Sequence, residues 1–258
     1  MTRLAPFLAL LAAAGLLGAC GKSEPSTPAG KHRSGGSGAS SRARALAHAI
    51  NLTAADVPGF VVHGKAKERE SPAEKHLKAK LDACVHASSQ KPVVEAGSPE
   101  FRREAGLASA SVQSEVTVAS STAVAAGELA NARSRRTRDC VSRYIGLLVR
   151  AQRHPGATLG AVSLVQRTPP APGADGSFAW RISVPVTARG LTLGIYFDIF
   201  GFVSGANEVT LFVSGVPIPP PAQVEAHLFS LLLERTKAAE RGRAPSAPSG
   251  PNPHVKTS

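Results

Sequence analysis

Few residues in this sequence have the type and spacing for covalent chemistry. There is no H-E-x-x-H to place two histidines on a metal, and no G-x-S-x-G to expose a serine on a sharp turn. Ser88-Ser89-Gln90-Lys91 has the S-x-x-K spacing of a lysine-activated serine, but the S-D-N and K-T-G segments that complete such a site are missing. Five Asp in the whole chain leave few candidates for the orienting acid of a hydrolase triad. The histidines are scattered, and the one local cluster, His76, Cys84 and His86, fits no zinc spacing. Gly21-Lys22-Ser23 ends like a phosphate-binding loop, yet Leu16 stands where its first glycine belongs. The expectation is a chain without catalytic residues, metal or cofactor. What remains is three cysteines, Cys20, Cys84 and Cys140, and a run of arginines. Arg136, Arg143 and Arg150 recur every seven residues and stripe one side of an expected helix. Such a stripe is either a solvated face or a strip that binds an anionic partner, such as an anionic envelope polymer or an acidic protein.

Cys20 takes its meaning from what precedes it. Arg3 gives a positive start, 4–17 is nearly all apolar, and small residues follow. This is the pattern of a secretory signal, too short for a span of about 20 residues. Leu17-Gly18-Ala19-Cys20 resembles the lipobox of bacterial lipoproteins. The resemblance implies a diacylglyceryl chain on the Cys20 thiol, cleavage before Cys20, and acylation of the new terminus. Two or three acyl chains hold a membrane stably where one does not. The lipobox covers about twenty residues, as a signal segment should. It divides the chain into a lipoprotein signal peptide at 1–19, lipidated Cys20 with a flexible Gly/Ser/Pro tether to 41, a folded body at 42–240, and a disordered tail at 241–258. In an exported chain the remaining even pair, Cys84 and Cys140, reads as a disulfide, with two buried free thiols as the alternative.

The elements that must position these residues follow from periodicity. Hydrophobic residues make up 43% of the 258 and charged residues 19%, enough for a packed core. In Leu52-x-x-x-Asp56-x-Pro58-Gly59, Thr53 caps a short turn with Asp56 three residues on, and Pro58-Gly59 bends the chain into a short strand at 60–62. A helix starts at Ser71-Pro72 and faces Leu77, Leu81, Cys84 and Val85 inward. Alternation over 107–118 gives a half-buried strand, and Ser120-Ser121-Thr122 caps a helix to 132. A second helix over 136–153 shows Cys140, Val141, Tyr144, Leu147, Leu148 and Ala151 on its apolar side. One strand is expected over 157–165. Strict alternation at 178–188 and 191–199 about Arg189-Gly190 predicts a two-residue hairpin, pairing Val186 with Leu193 and Arg181 with Asp198 on a polar face. A turn at 204–207 leads to a strand at 209–213. After Pro219-Pro220-Pro221 comes a long helix with Val224, Leu228, Leu231, Leu232 and Arg235 along one side. The expected fold is a single α+β domain, a mainly antiparallel sheet of about four to six strands packed against helices.

Signal, tether, element order and cysteine pair together resemble the uncharacterised envelope lipoproteins of high-GC bacteria, some of which are similar to PsbP-like α/β/α sandwiches or extracellular kinase sensor domains. The resemblance implies an extracytoplasmic, membrane-anchored, non-enzymatic binding, sensor or accessory module. An alternative is a carrier that holds a lipid or other apolar ligand between helices and sheet. A net charge of +12 suits anionic partners, but aromatics at 5% with one Trp and two Tyr argue against a base-stacking platform, and nucleic acid is not expected as a partner.

Overall fold

The computed structural model describes residues 36–63, 72–85, 90–151 and 157–242. The expected signal peptide, Cys20, most of the expected tether, Ser88-Ser89 and the expected tail from 243 onward lie outside these residues. In chain order the described elements begin with α1 (Gly36–Ile50), a 3-10 turn (Ala54–Asp56), β1 (Val61–His63) and α2 (Pro72–Val85). Next come β2 (Val94–Gly97), β3 (Glu100–Ala105), β4 (Ala108–Val118), α3 (Thr122–Arg133) and α4 (Arg135–Ala151). β5 (Ala157–Leu159), β6 (Ser163–Arg167), β7 (Gly176–Ala188), β8 (Leu191–Ser204), β9 (Asn207–Val216) and α5 (Ala222–Glu240) complete the order.

Among the described residues the fold is α+β, with five α-helices and one antiparallel sheet of nine strands in the order β1-β3-β4-β9-β8-β7-β5. β2 continues the β3 side of β4, and β6 continues the β5 side of β7. Nine strands exceed the expected four to six because the flanks are built from short pieces. β3, with sequence EFRREA, turns a single apolar side chain, Phe101, into the core and so shows no run of alternation. The single strand expected over 157–165 is two. Opposite its break stands Pro185, which has no N–H to donate, and the Gly160 N–H bonds the Pro185 carbonyl at 2.8 Å instead.

The β7–β8 hairpin carries the longest ladder. Arg189 (φ 53°) and Gly190 (φ 78°) form the two-residue turn, whose backbone twist matches the flanking strands. Its register pairs Val186 with Leu193 and Arg181 with Asp198. Phe178 lies across from Gly201, where a Cβ would collide with the ring.

Helices cover both faces of the sheet. On one face α2, α3 and α4 pack Leu81, Val85, Leu129, Val141, Tyr144 and Ile145 against β7 and β8 residues including Phe178, Trp180, Ile182 and Ile199. On the other face α1 and α5 pack Ala47, Ile50, Leu228 and Leu232 against β4, β8 and β9. The polar side expected for the hairpin is therefore interior, and Asp198 is only 2% exposed. The expected helix faces shift with it. On α4, Ile145 is buried and Leu147 is exposed; on α5, Val224 is exposed and Glu225 is buried. α1 begins six residues before the expected start of the folded body at 42. Its Ala-rich second half nucleates a helix, and propagation costs little per residue even through Gly and Ser.

A buried polar network ties α1 to the sheet. Asn51 donates Nδ2 to the Ala96 carbonyl (2.8 Å) and accepts from Ser114 Oγ (2.7 Å), while Ser114 Oγ accepts from the Leu52 N–H (2.9 Å). Beside it Arg235 of α5 donates to both carboxylate oxygens of Asp56, at 2.7 and 2.9 Å, and to the Asn51 carbonyl at 3.0 Å. The Leu52–Gly59 turn is thus held to the far end of the chain by a forked ion pair with both side chains inside.

Candidate functional site

The basic run sits on the α3–α4 corner, and most of its members are engaged. Ser134 ends α3 and accepts the Thr137 N–H, so it starts α4 as well. Arg133 donates twice to the Ser177 carbonyl of β7, at 2.7 and 3.0 Å. Arg135 and Arg138 pair with Asp139 at the surface, where such pairs contribute about 0–1 kcal/mol. Arg136 donates Nε to the Cys84 carbonyl at 2.7 Å, satisfying an end carbonyl of α2. Two residues of α4 therefore grip one point on α2, because Cys140 is disulfide-bonded to Cys84 across a Cα–Cα distance of 5.9 Å. Of the expected stripe, Arg136 is committed to this joint, and the Arg150 side chain lies outside the described residues. Arg143 is exposed and makes no hydrogen bond or ion pair among the described residues.

Arg143 instead borders an open cleft of about 480 Å³. One wall is α4, through Asp139, Ser142, Arg143, Gly146 and Leu147, which recur at three- and four-residue steps along one helix side. The other wall is Gly160–Val162 between β5 and β6, with Val184 of β7. Gly146 of α4 faces Val162 on the other wall, where a Cβ would lie 3.9 Å from its methyl group. The lining combines the Arg143 guanidinium and the Asp139 carboxylate, itself paired with Arg135 and Arg138, with apolar Leu147, Ala161, Val162 and Val184, so that an anionic group with an apolar neighbour would find its partner at Arg143. Periodicity alone placed Arg143 on the helix. The second wall was beyond its reach, because it depends on Pro185 breaking the ladder.

A second group of charges lies under α5 on the opposite sheet face. Arg181 of β7 donates to both oxygens of Asp198 on β8, at 2.7 and 2.8 Å, and reaches Glu225 of α5 at 3.2 Å. Burial pushes Glu225 up to about 8, aided by the Asp198 carboxyl beside it and opposed by Arg181. Near neutral pH Glu225 therefore keeps its proton and adds no negative charge to this interior site. Arg181–Asp198 was legible from the hairpin register; Glu225 was not, because a carboxyl breaks the apolar pattern of its helix. Among the described residues, no group of three His, Cys, Asp or Glu is arranged to hold a metal ion, and no helix is long and apolar enough to cross a membrane.

Fold and sites define an α+β domain with a helix-covered sheet, a disulfide between two helices of one face, and an open cleft bordered by Arg143 and Asp139 on α4. No protein-family model matches the chain, and no curated protein matches it.

Proposed function

We propose that this chain is a lipoprotein anchored through acylated Cys20 in the cell envelope, whose α+β body is an extracytoplasmic, non-enzymatic binding, sensor or accessory module. The observation that carries the reading is the Cys84–Cys140 disulfide, because such bonds form and persist in oxidising compartments outside the cytosol. It agrees with the address read from Leu17-Gly18-Ala19-Cys20. The Arg143 cleft is where an anionic envelope polymer or an acidic protein partner would engage. Side chains of α2–α4 occupy one sheet face and those of α1 and α5 the other, which favours recognition at the surface over carriage of an apolar ligand inside.

The test is made on the full chain in a bacterium with lipoprotein processing. The wild type incorporates labelled palmitate and enters the detergent phase on cloud-point separation; Cys20→Ala does neither. Normal processing and membrane partition of Cys20→Ala overturns the anchor. Turnover of a generic ester, glycan or peptide by the purified protein overturns the non-enzymatic role. Charge reversal at Arg143 weakens capture of an anionic polymer, as does rising salt, and unchanged capture returns Arg143 to a solvated face.

A further inference from the structure

The disulfide ends in a helix with few other attachments. α2 packs chiefly on α4. Its burial is concentrated at one end: Leu81 and Val85 are buried on either side of Cys84, Leu77 is half-buried, and His76, Ala79 and Lys80 are exposed. A helix of 14 residues is marginal on its own in water, so the order of α2 depends on what docks it. Three ties do so. Leu81 and Val85 enter the core, Arg136 donates Nε–H to the Cys84 carbonyl at 2.7 Å, and the disulfide joins Cys84 to Cys140. Two of the three meet at Cys84.

The surroundings of the bond favour thiol exchange. Cys84 is half-buried and Cys140 is buried, so an incoming thiolate has its open route to the Cys84 sulfur, and Cys140 is the sulfur that leaves. Arg136 and Arg143 stand four residues before and three residues after Cys140, on its side of α4. Lys80 stands one turn before Cys84 on α2. Asp139, next to Cys140, is taken up by Arg135 and Arg138, and Asp82 projects from another side of α2 than Cys84. Positive charge near both sulfurs draws thiolates in and stabilises the charge that Cys140 takes up as it leaves.

We propose that Cys84–Cys140 is a redox-operated latch: a dithiol reductant opens the bond, and α2 then comes away from α4 while the sheet stays folded. One thiolate of the reductant attacks the Cys84 sulfur, forming a mixed disulfide and expelling the Cys140 thiolate, which takes up a proton. The second thiol of the reductant displaces Cys84 in turn. The protein pair gains two electrons and two protons, and the reductant closes into a disulfide. The change is local. The core packed by α1 and α5 on the other sheet face contains no residue of α2, and the β7–β8 ladder is bonded through its own backbone. Opening bares the part of the core that Leu81 and Val85 close, which gives the molecule a second surface under reducing conditions. The latch goes beyond the anchored reading and needs no acyl chain.

The experiment uses the full chain, purified without reductant, in neutral buffer free of denaturant. Amide hydrogen exchange is read by mass spectrometry before and after treatment with dithiothreitol. On reduction, exchange over 76–85 accelerates by about 100-fold, the order expected when a closing crosslink is lost, while the β7–β8 amides keep their rates. A short pulse of reduced glutathione, stopped with acid, leaves its adduct on Cys84. The chain carrying Cys84→Ser and Cys140→Ser exchanges over 76–85 like the reduced wild type, without any thiol present. Unchanged protection of α2 after complete reduction overturns the latch and leaves the bond a structural staple. Acceleration across 176–204 as well overturns the release of α2 alone. Reduction no faster than global unfolding overturns exchange in the native state, and an adduct on Cys140 overturns the order of attack.

Discussion

Asp56→Asn tests whether the Leu52–Gly59 turn is held by charge or merely by shape. The Asp56 side chain is fully enclosed and Arg235 is 5% exposed. The carboxylate accepts from Arg235 twice and from the Thr53 N–H and hydroxyl at 2.7 and 2.9 Å. Asparagine keeps the volume but puts an amide donor against donors and leaves the guanidinium uncompensated inside. Removing one partner of such a pair costs about 3–5 kcal/mol, a large share of the roughly 5–15 kcal/mol that holds a domain. For a body of this size that lowers Tm by about 6–20 °C. Urea unfolding followed by Trp180 emission reads the loss, since that ring is 2% exposed in the native state. Arg235→Met in the same chain recovers most of it, because both charges are then gone. The acid limb carries a second signature. Burial pushes the Asp56 carboxyl up, but the Arg235 hydrogen bonds and those from Thr53 outweigh it and hold the group below its usual 3.8. Its stabilisation is present above about pH 4 and is lost as pH falls through the lowered value, so Asp56→Asn flattens that limb. A loss under about 1 kcal/mol, or a double variant no better than the single, refutes the reasoning.

Glu225 has the opposite sign. With its carboxyl raised from 4.5 to about 8, the folded chain keeps a proton that the unfolded chain has released, so its contribution is complete below about pH 4.5 and declines as pH rises to about 8. Glu225→Gln removes that decline in urea midpoints measured across the window; a variant that tracks the wild type over the whole window contradicts it. Reducing Cys84–Cys140, or replacing both residues by Ser, frees a closed loop of 56-residue separation and lowers stability by about 4 kcal/mol in the chain-entropy picture. Equal midpoints with and without reductant would show that the bond adds nothing.

What was readable in the sequence follows the length of each pattern. The β7–β8 hairpin announced itself through strict alternation and a two-residue turn, and its register followed with it. α2 and α4 showed their apolar sides over three turns, which placed Cys84 and Cys140 inward. β2 and β3 had four and six residues and few inward apolar side chains, too little for a period to emerge. The second covered face was hidden for a different reason. Its most telling residues are polar ones, Asp198, Glu225, Asn51, Ser114 and Arg235, and a single polar residue does not disclose the distant partner that allows its burial. The same holds for the cleft. Arg143 was visible as a charge at helical spacing, but its neighbours come from the ladder break at Pro185, and Arg136 was already engaged by the end of another helix.

The flanks of the sheet bear on how the protein behaves when crowded. β1 offers three residues beyond β3, and the far side of β7 is bordered by two fragments with Gly160 between them. An incoming strand from a neighbouring molecule would meet a row of donors and acceptors too brief or too interrupted to add a full rung-by-rung ladder. A neighbouring molecule therefore finds little continuous backbone at these edges on which to extend the sheet.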